Sequence, residues 1–170
     1  MLPDYLDFGL RLVVVGFNPG TKSARLGHYY AGPGNLFWPL LYEAGLTRVP
    51  LNFAEDHRVL EFGIGLTDLV RRSTPSSADL TRREVARGRE ALLAKLQRYA
   101  PRVICFNGKG VYEHVRPRLG EARAALGAQA DLGASRVFVM PSTSARNGRF
   151  PRAAKLEFFR AMKRLVDSVA

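Results

Sequence analysis

The sequence of 170 residues predicts an α/β fold in which helices pack against a mostly parallel sheet. Two patterns predict it: short apolar runs rich in β-branched residues, typical of strands buried on both faces, and longer segments with helical spacing between them. Strands and helices alternate along the chain, which favours parallel pairing. The sequence has no internal repeat, linker or low-complexity tract, so we expect a single domain over residues 1–170.

Four apolar runs predict the strands. Residues 10–17 (LRLVVVGF), 102–106 (RVICF) and 136–140 (RVFVM) are nearly continuous in apolar character, as strands covered on both faces should be. A further strand is expected at residues 63–70 (GIGLTDLV), where the apolar pattern is more broken.

Two longer helices are predicted from their start signals and spacing. Residues 81–84 (TRRE) form a capping-box sequence, and apolar residues then recur at helical spacing until Pro101. Pro151 suits the first turn of a C-terminal helix whose apolar residues share one face. Two shorter helices are expected at residues 37–44 and 110–115.

The chain is strongly basic, and its charge is uneven. It has 26 lysine and arginine residues against 15 acidic residues, a formal net charge of +11. Residues 1–70 hold 5 basic and 7 acidic residues, whereas residues 71–170 hold 21 basic and 8 acidic residues. Arginine accounts for 21 of the basic residues, and its side chain can bind two phosphate oxygens at once. The charge therefore favours nucleic acid as a partner over a merely soluble basic surface.

Cysteine content and hydropathy favour a cytoplasmic protein. Cys105 is the single cysteine, so it cannot form an internal disulfide, and its apolar surroundings in the sequence predict a buried free thiol. No apolar stretch approaches the roughly 20 residues of a membrane span. The N-terminal MLPDYLDFGL has acidic residues where a signal peptide needs basic ones. We therefore expect a reducing compartment and no membrane partner.

Small polar turns follow three of the predicted strands. They read GFNPG at residues 16–20, NGKG at residues 107–110 and PSTSAR at residues 141–146. In open parallel sheets, ligands bind at the carboxyl ends of the strands. Because these ends share one edge of the sheet, we expect Asn18, Lys109 and residues 142–146 to converge there and form the functional site.

Asn18 lies between a strand and the Pro19-Gly20 turn, which restricts the neighbouring backbone. An amide held rigidly there can orient a water molecule. The alternative interpretation, favoured when this motif is considered alone, is that Asn18 only forms hydrogen bonds within its own turn.

Residues 28–38 (HYYAGPGNLFW) combine aromatic rings with an amide, which suits binding of a flat heterocycle. Tyr30 could stack on a nucleobase while Asn35 binds its polar edge, and Phe37 and Trp38 should anchor the following helix in the core. The alternative is a loop packed by its own aromatic residues, with no ligand.

Residues 142–152 (STSARNGRFPR) carry three arginines and several hydroxyl groups without an acidic residue, which favours phosphate contact. An arginine in such a loop can also enter the base stack of a distorted duplex. Lys109 suits a phosphate contact at a helix N-terminus. A merely solvated basic loop is the alternative. No set of His, Cys, Asp and Glu has metal-ligand spacing, so no metal is expected.

Five motifs, in order, resemble the mismatch-specific uracil/thymine-DNA glycosylase family of the uracil-DNA glycosylase superfamily, over residues 10–165. They are GFNPG (16–20), YAGPGNLFW (30–38), GLTDLVRRSTP (65–75), FNGKGVYE (106–113) and MPSTSARNGRFPRA (140–153). The resemblance implies a three-layer α/β/α sandwich with a central, mainly parallel sheet. It also implies hydrolysis of the N-glycosidic bond of a damaged or mispaired pyrimidine in double-stranded DNA, which leaves an abasic site.

The same resemblance assigns roles to individual residues. Asn18 matches the asparagine that positions the attacking water, Tyr30 the aromatic residue that stacks on the extruded base, and Asn35 a residue close to that base. Phe17 stands where isoleucine is more usual and is grouped with the base-binding residues. The residues expected to contact DNA or fill the vacated stack are Lys109, Ser142, Ser144, Ala145, Arg146 and Arg149, with Arg146 as the intercalating side chain.

Asp68 departs from the family pattern, because the thymine-active branch typically has asparagine at this position. A carboxylate near the flipped base can act as a general base or stabilise the sugar cation, yet it would also repel the departing base anion. We predict a direct catalytic role for Asp68. The alternative is a structural hydrogen bond at the end of a strand.

These interpretations predict a monofunctional, metal-free and cofactor-free DNA repair glycosylase, because no matched motif supplies a lysine nucleophile. Uracil opposite guanine is the expected substrate, with thymine or modified pyrimidines as further candidates. A monomer without an obligate protein partner is expected, associated with the nucleoid through DNA. Two alternatives are a noncatalytic protein that binds flipped or mispaired bases and a nucleoside hydrolase, which the arginine-rich loop disfavours.

Overall fold

The computed structural model describes residues 1–119 and 124–169. Within these residues the chain forms five strands, five α-helices and two 3₁₀ segments. The strands are β1 (Leu12–Gly16), β2 (Ile64–Asp68), β3 (Val103–Asn107), β4 (Gly127–Leu132) and β5 (Ser135–Met140). The α-helices are α1 (Thr21–Leu26), α2 (Phe37–Glu43), α3 (Arg82–Tyr99), α4 (Lys109–Leu119) and α5 (Arg152–Ser168). The 3₁₀ segments are Phe53–Phe62 and Ser77–Asp79.

The five strands form one sheet in the order β2-β1-β3-β5-β4. Strands β2, β1, β3 and β5 run parallel to one another, and β4 is antiparallel to β5. The register sets Gly16 opposite Asp68 and Asn107 opposite Met140, so the carboxyl ends of four strands meet at one edge. The predicted α/β fold with a mostly parallel sheet is confirmed.

Alternate residues of β1 enter two separate cores. Leu12 and Val14 pack with residues of α2 and α5 on one face of the sheet, and Val13 and Val15 pack with residues of α3 and α4 on the other. All four β1 side chains are fully buried. This double burial explains the nearly continuous apolar character of the strand and gives the three-layer α/β/α arrangement.

The predicted helices are present, with small shifts at their ends. The Thr81 hydroxyl accepts a hydrogen bond from Glu84 N, and the Glu84 carboxylate accepts one from Thr81 N, so the capping box forms as expected. Pro151 is the N-cap of α5, which begins one residue later. Cys105 is a free, buried cysteine in β3, as expected. None of the described helices is long and apolar enough to cross a membrane.

Strand β4 was not predicted. Its sequence, GAQADL, lacks β-branched and aromatic residues, and its side chains are exposed or half-buried. A turn in which Gly133 has φ 57° connects β4 to β5, and β4 forms through antiparallel pairing with β5. Pairing with a neighbouring strand, rather than local composition, therefore determines this edge of the sheet.

Candidate active site

The carboxyl ends of β1, β2, β3 and β5 surround a cavity of about 860 Å³. Nine residues assigned to the site from the sequence line its walls: Phe17, Asn18, Tyr30, Asn35, Asp68, Ser142, Ser144, Ala145 and Arg146. The topology therefore gathers residues that are up to 129 positions apart, from Phe17 to Arg146, around one space.

The Asn18 amide is held by residues distant in the sequence. Its Nδ2 donates to Arg72 O at 3.0 Å and to Thr74 Oγ1 at 2.7 Å. A backbone carbonyl only accepts, so the contact with Arg72 O defines which end of the amide carries nitrogen. Among residues 1–119 and 124–169 no side-chain or backbone donor is bonded to the Asn18 carbonyl oxygen, so this oxygen can accept a hydrogen bond from a bound molecule. Asn18 is thus not confined to its own turn.

Tyr30 has its backbone in the left-handed region, with φ 53°, an uncommon conformation for a residue with a side chain. Its ring packs on Phe37, with the two ring centroids 4.2 Å apart. Its hydroxyl is buried and lies 3.2 Å from where a Cβ at Gly16 would stand. Burial, together with the nearby Asp68 carboxylate, raises the pKa of Tyr30, so the phenol is neutral.

The Asn35 side chain binds the protein through one end of its amide and also lines the cavity. Its Oδ1 accepts a hydrogen bond from Phe37 N at 3.0 Å, which supports the start of α2. Its Nδ2 has two hydrogens and no acceptor within the described part of the chain, so it can donate to a ligand. Phe37 and Trp38 are buried, as expected for anchors of this helix. The loop thus packs through its own aromatic residues and also presents Asn35 to the cavity.

Asp68 ends β2 with its side chain on the cavity wall, and only 8% of the residue is exposed. Burial, together with the nearby Asp4 carboxylate, raises the pKa of Asp68 to about 7, although Lys95 and Arg71 act in the opposite direction. The Asp68 carboxylate forms no hydrogen bond with the described residues, so the structural alternative gains no support. A Cβ at Gly16 would collide with Asp68 Oδ1, so a larger residue at position 16 would require the Asp68 side chain to move.

Thr143 connects three walls of the cavity and is itself 1% exposed. Asn107 Nδ2 donates to Thr143 Oγ1 at 3.0 Å, and Thr143 N donates to Asn107 Oδ1 at 3.1 Å. Thr143 O accepts a hydrogen bond from Leu36 N at 3.0 Å. These bonds fix the loop after β5 to the end of β3 and to the loop that carries Tyr30 and Asn35.

Lys155 of α5 forms hydrogen bonds with the loop after β5. It is buried, and its Nζ donates to Asn147 O at 3.0 Å and to Ser144 O at 3.4 Å. Burial lowers the pKa of Lys155. Within the loop, Ser142 Oγ accepts a hydrogen bond from Ser144 N at 3.3 Å. Hydrogen bonds from the buried Lys155, and others within the loop, therefore hold the conformation of this part of the cavity wall.

Arg146 crosses the mouth of the cavity. The side chain is exposed, and its Nη1 donates to Pro75 O at 2.7 Å, on the loop that follows β2. Ser144 Oγ accepts a hydrogen bond from Arg146 N at 3.3 Å. The guanidinium is thus a cation on the cavity wall, and it donates to a neutral carbonyl.

Two predicted DNA-contact residues lie outside the cavity wall. Lys109 is the exposed first residue of α4, and Arg149 is exposed in the loop before α5. Their roles stay predictions, as do the chemical roles assigned to the residues in the cavity. No group of three or more His, Cys, Asp or Glu among residues 1–119 and 124–169 is arranged to hold a metal ion.

Several residues at the cavity were not singled out from the sequence. Asn107 and Thr143 lie in the predicted polar turns, so their position was a usable signal. Leu2 and Lys155 gave no such signal, and the GLTDLVRRSTP motif, which contains Thr74, did not indicate that the Thr74 hydroxyl would hold Asn18.

An α/β/α sandwich with a polar cavity at the carboxyl ends of its strands has its candidate ligand site at this edge of the sheet. Residues 3–165 match the family described as the Uracil DNA glycosylase superfamily. The chain belongs to this superfamily and so falls among the DNA glycosylases.

A solved structure has the same fold. It is the solution NMR structure of a candidate uracil DNA glycosylase from Methanosarcina acetivorans. The two chains are 24% identical, the TM-score is 0.66, and the similarity covers 96% of each chain.

Proposed function

We propose that this protein is a monofunctional, mismatch-specific DNA glycosylase that flips uracil mispaired with guanine out of double-stranded DNA and hydrolyses its N-glycosidic bond. The supporting observation is the single cavity that joins Asn18, Tyr30, Asn35 and Asp68, with Arg146 at its mouth. Its volume of about 860 Å³ can admit a pyrimidine nucleotide. The catalytic step leaves an abasic site.

Base selection follows from the polarity of Asn35. Its free Nδ2 carries two donor hydrogens, and uracil presents carbonyl oxygens as acceptors on its polar edge. Cytosine has an amino group in place of one of these carbonyls, so the Asn35 Nδ2 donor would face another donor instead of an acceptor. The Tyr30 ring, supported from behind by Phe37, offers an aromatic surface for the base.

Hydrolysis uses Asn18 and Asp68 on the same water molecule. The Asn18 carbonyl oxygen accepts one hydrogen bond from the water and orients it. The bond from C1′ of the sugar to the base nitrogen breaks, the base keeps the electron pair, and the water oxygen bonds to C1′. The water proton passes to the ionised Asp68 carboxylate, and the base anion later takes up a proton from solvent. A carboxylate with a pKa of about 7 is partly ionised at neutral pH and suits this transfer.

Base flipping costs a few kcal/mol and costs least for a mispair, which favours uracil opposite guanine. Arg146 occupies the vacated space in the stack, while Ser142, Ser144 and Ala145 lie beside the phosphate backbone. Lys109 and Arg149, both exposed, add phosphate contacts outside the cavity. Thymine and modified pyrimidines are further candidate substrates.

The protein acts as a single-domain monomer without metal or redox cofactor, in the cytoplasm and on nucleoid DNA. Support for these features comes from the sequence: its length, its single cysteine and its net charge of +11.

A base-release assay tests this function. Labelled duplexes carry uracil opposite guanine, uracil opposite adenine or thymine opposite guanine, and a single strand carries uracil. We expect fastest release from the uracil–guanine duplex. Asn18→Ala should lose release yet retain binding to DNA with an abasic site. DNA binding by the wild-type protein without release of any base would instead support a noncatalytic binding protein.

A further inference from the structure

Residues 2–5, here called the N-terminal strap, run along the outer edge of β2. Tyr5 and Leu66 exchange two backbone hydrogen bonds, each of 2.9 Å. A Cβ at Gly65 would lie 2.6 Å from Tyr5 O, so the close approach depends on this glycine. The Asp4 carboxylate accepts hydrogen bonds from Thr67 Oγ1 at 2.7 Å and from Lys95 Nζ at 2.6 Å. The strap is therefore tied to both β2 and α3.

The strap carries Leu2 into the wall of the cavity. Leu2 lines the cavity, yet only 4% of the residue is exposed. Its backbone is held on two sides, because Arg71 Nη2 donates to Leu2 O at 3.2 Å and the Tyr29 hydroxyl donates to Pro3 O at 2.8 Å. The side chain belongs to the core cluster that includes Tyr29 and Phe37. The Leu2 side chain is thus an apolar part of the cavity wall, and hydrogen bonds to Leu2 O and Pro3 O hold its backbone in place.

We propose that Leu2 is a specificity-determining residue, with its side chain setting the size of base that the cavity accepts. This inference rests on the proposed function and assigns a substrate limit to the same site. Polar groups of the cavity, such as Asn35, can select the pattern of donors and acceptors but not the bulk of the base. A branched apolar side chain on a fixed backbone excludes bulk through steric contact.

Shortening Leu2 should enlarge the cavity instead of collapsing it. Truncation of a buried leucine leaves a space because the surroundings relax only in part. Here Arg71, Tyr29 and Thr67 hold the strap in its position, so the space should remain. Bases larger than uracil, such as thymine or a cytosine with a fused exocyclic ring, should then gain more than uracil does.

The test compares Leu2→Ala and Leu2→Val with Leu10→Ala. Leu10 is also 4% exposed but packs in the core on the opposite face of the sheet and does not line the cavity. Single-turnover base release is measured on duplexes with uracil, thymine or the fused-ring cytosine opposite guanine. Leu2→Ala should raise the rate for the largest base relative to uracil by about tenfold, and Leu2→Val by less. Leu10→Ala should leave this ratio within about twofold of the wild-type ratio.

An unchanged ratio in folded Leu2→Ala and Leu2→Val would overturn the inference, since a merely structural leucine would slow all substrates alike. Failure of the proposed function has a different signature, in which the wild-type protein and Leu10→Ala release no base from any duplex. In that case NMR titration with free uracil and with the free fused-ring base decides the role of Leu2. The ratio of the two affinities should shift toward the larger base in Leu2→Ala, and an unchanged ratio would contradict a role in size selection.

Discussion

The Asn18 amide nitrogen donates a 2.7 Å hydrogen bond to Thr74 Oγ1, and the Thr74 hydroxyl donates its own proton to Ser76 O over 2.6 Å. Because the Thr74 proton is already used, the Thr74 oxygen accepts from Asn18. The direction of both bonds therefore fixes the Asn18 amide, with its carbonyl oxygen left for a ligand. Thr74 supports the group that we propose orients the attacking water.

Thr74→Val keeps the side-chain volume but removes the acceptor, so we expect uracil release to slow about 10- to 100-fold as the Asn18 amide loses its orientation. Single-turnover kinetics on a uracil–guanine duplex measure this. Thr74→Ser should retain most of the rate. Thr47→Val is the matched control, because Thr47 is similarly buried and donates to Val49 O away from the cavity. A normal rate in Thr74→Val would mean that Asn18 needs no support from Thr74.

Base release should increase with pH through about 7, because the Asp68 carboxylate must be ionised to accept the water proton. Asp68→Asn should lower the rate and remove this dependence. Asp4→Asn should shift the midpoint to lower pH, since the Asp4 charge raises the pKa of Asp68. Asp7→Asn is the control, because Asp7 is exposed and accepts from Phe8 N beside it. The expectation fails if the midpoint is the same in Asp4→Asn and the wild-type protein.

The free energy of unfolding should also depend on the ionisation of Asp68, but it should decrease as the pH rises. Burial raises the pKa of Asp68 from its ordinary value of 3.8 to about 7, so the folded protein holds a proton that the unfolded chain has lost between these values. The stabilisation is complete below pH 3.8 and is lost as the pH rises through 7. Asp68→Asn avoids this loss and should gain stability relative to the wild-type protein between pH 4 and 8, by at most about 4 kcal/mol. Urea unfolding at several pH values measures the difference, and a constant difference would refute it.

Arg146→Ala should slow release roughly tenfold from the uracil–guanine duplex, because nothing then fills the space left by the flipped base. The loss should be larger for uracil opposite adenine, since that pair is more stable and the base returns faster. Arg160→Ala is the control, because Arg160 is exposed on α5 and pairs with Glu157. Equal losses on both duplexes would indicate a simple phosphate contact for Arg146.

The strands and long helices could be predicted because their signals are local. Burial on both faces makes residues 12–15 of β1 and 103–106 of β3 apolar, and the Thr81 capping box marks the start of α3. The polar turns could be assigned to one edge because parallel strands end together. By contrast, β4 depends on pairing with β5.

Leu2, Thr74 and Lys155 could not be predicted for a related reason. Leu2 and Thr74 line the cavity and form hydrogen bonds with residues distant in the sequence, whereas Lys155 of α5 holds the loop after β5 without lining the cavity. No pattern of spacing or composition encodes such a contact. The sequence therefore indicates which turns form the site but not what supports them.

The absence of a side chain at Gly16 links two positions in evolution. An alanine there would collide with the Asp68 carboxylate, and the Tyr30 hydroxyl lies close to the same point. A larger residue at position 16 would therefore require the Asp68 side chain to move away from its present position, whereas a shorter residue 68 would leave room for it. Replacement of Gly16 should accordingly be better tolerated together with a shorter residue at position 68 than alone.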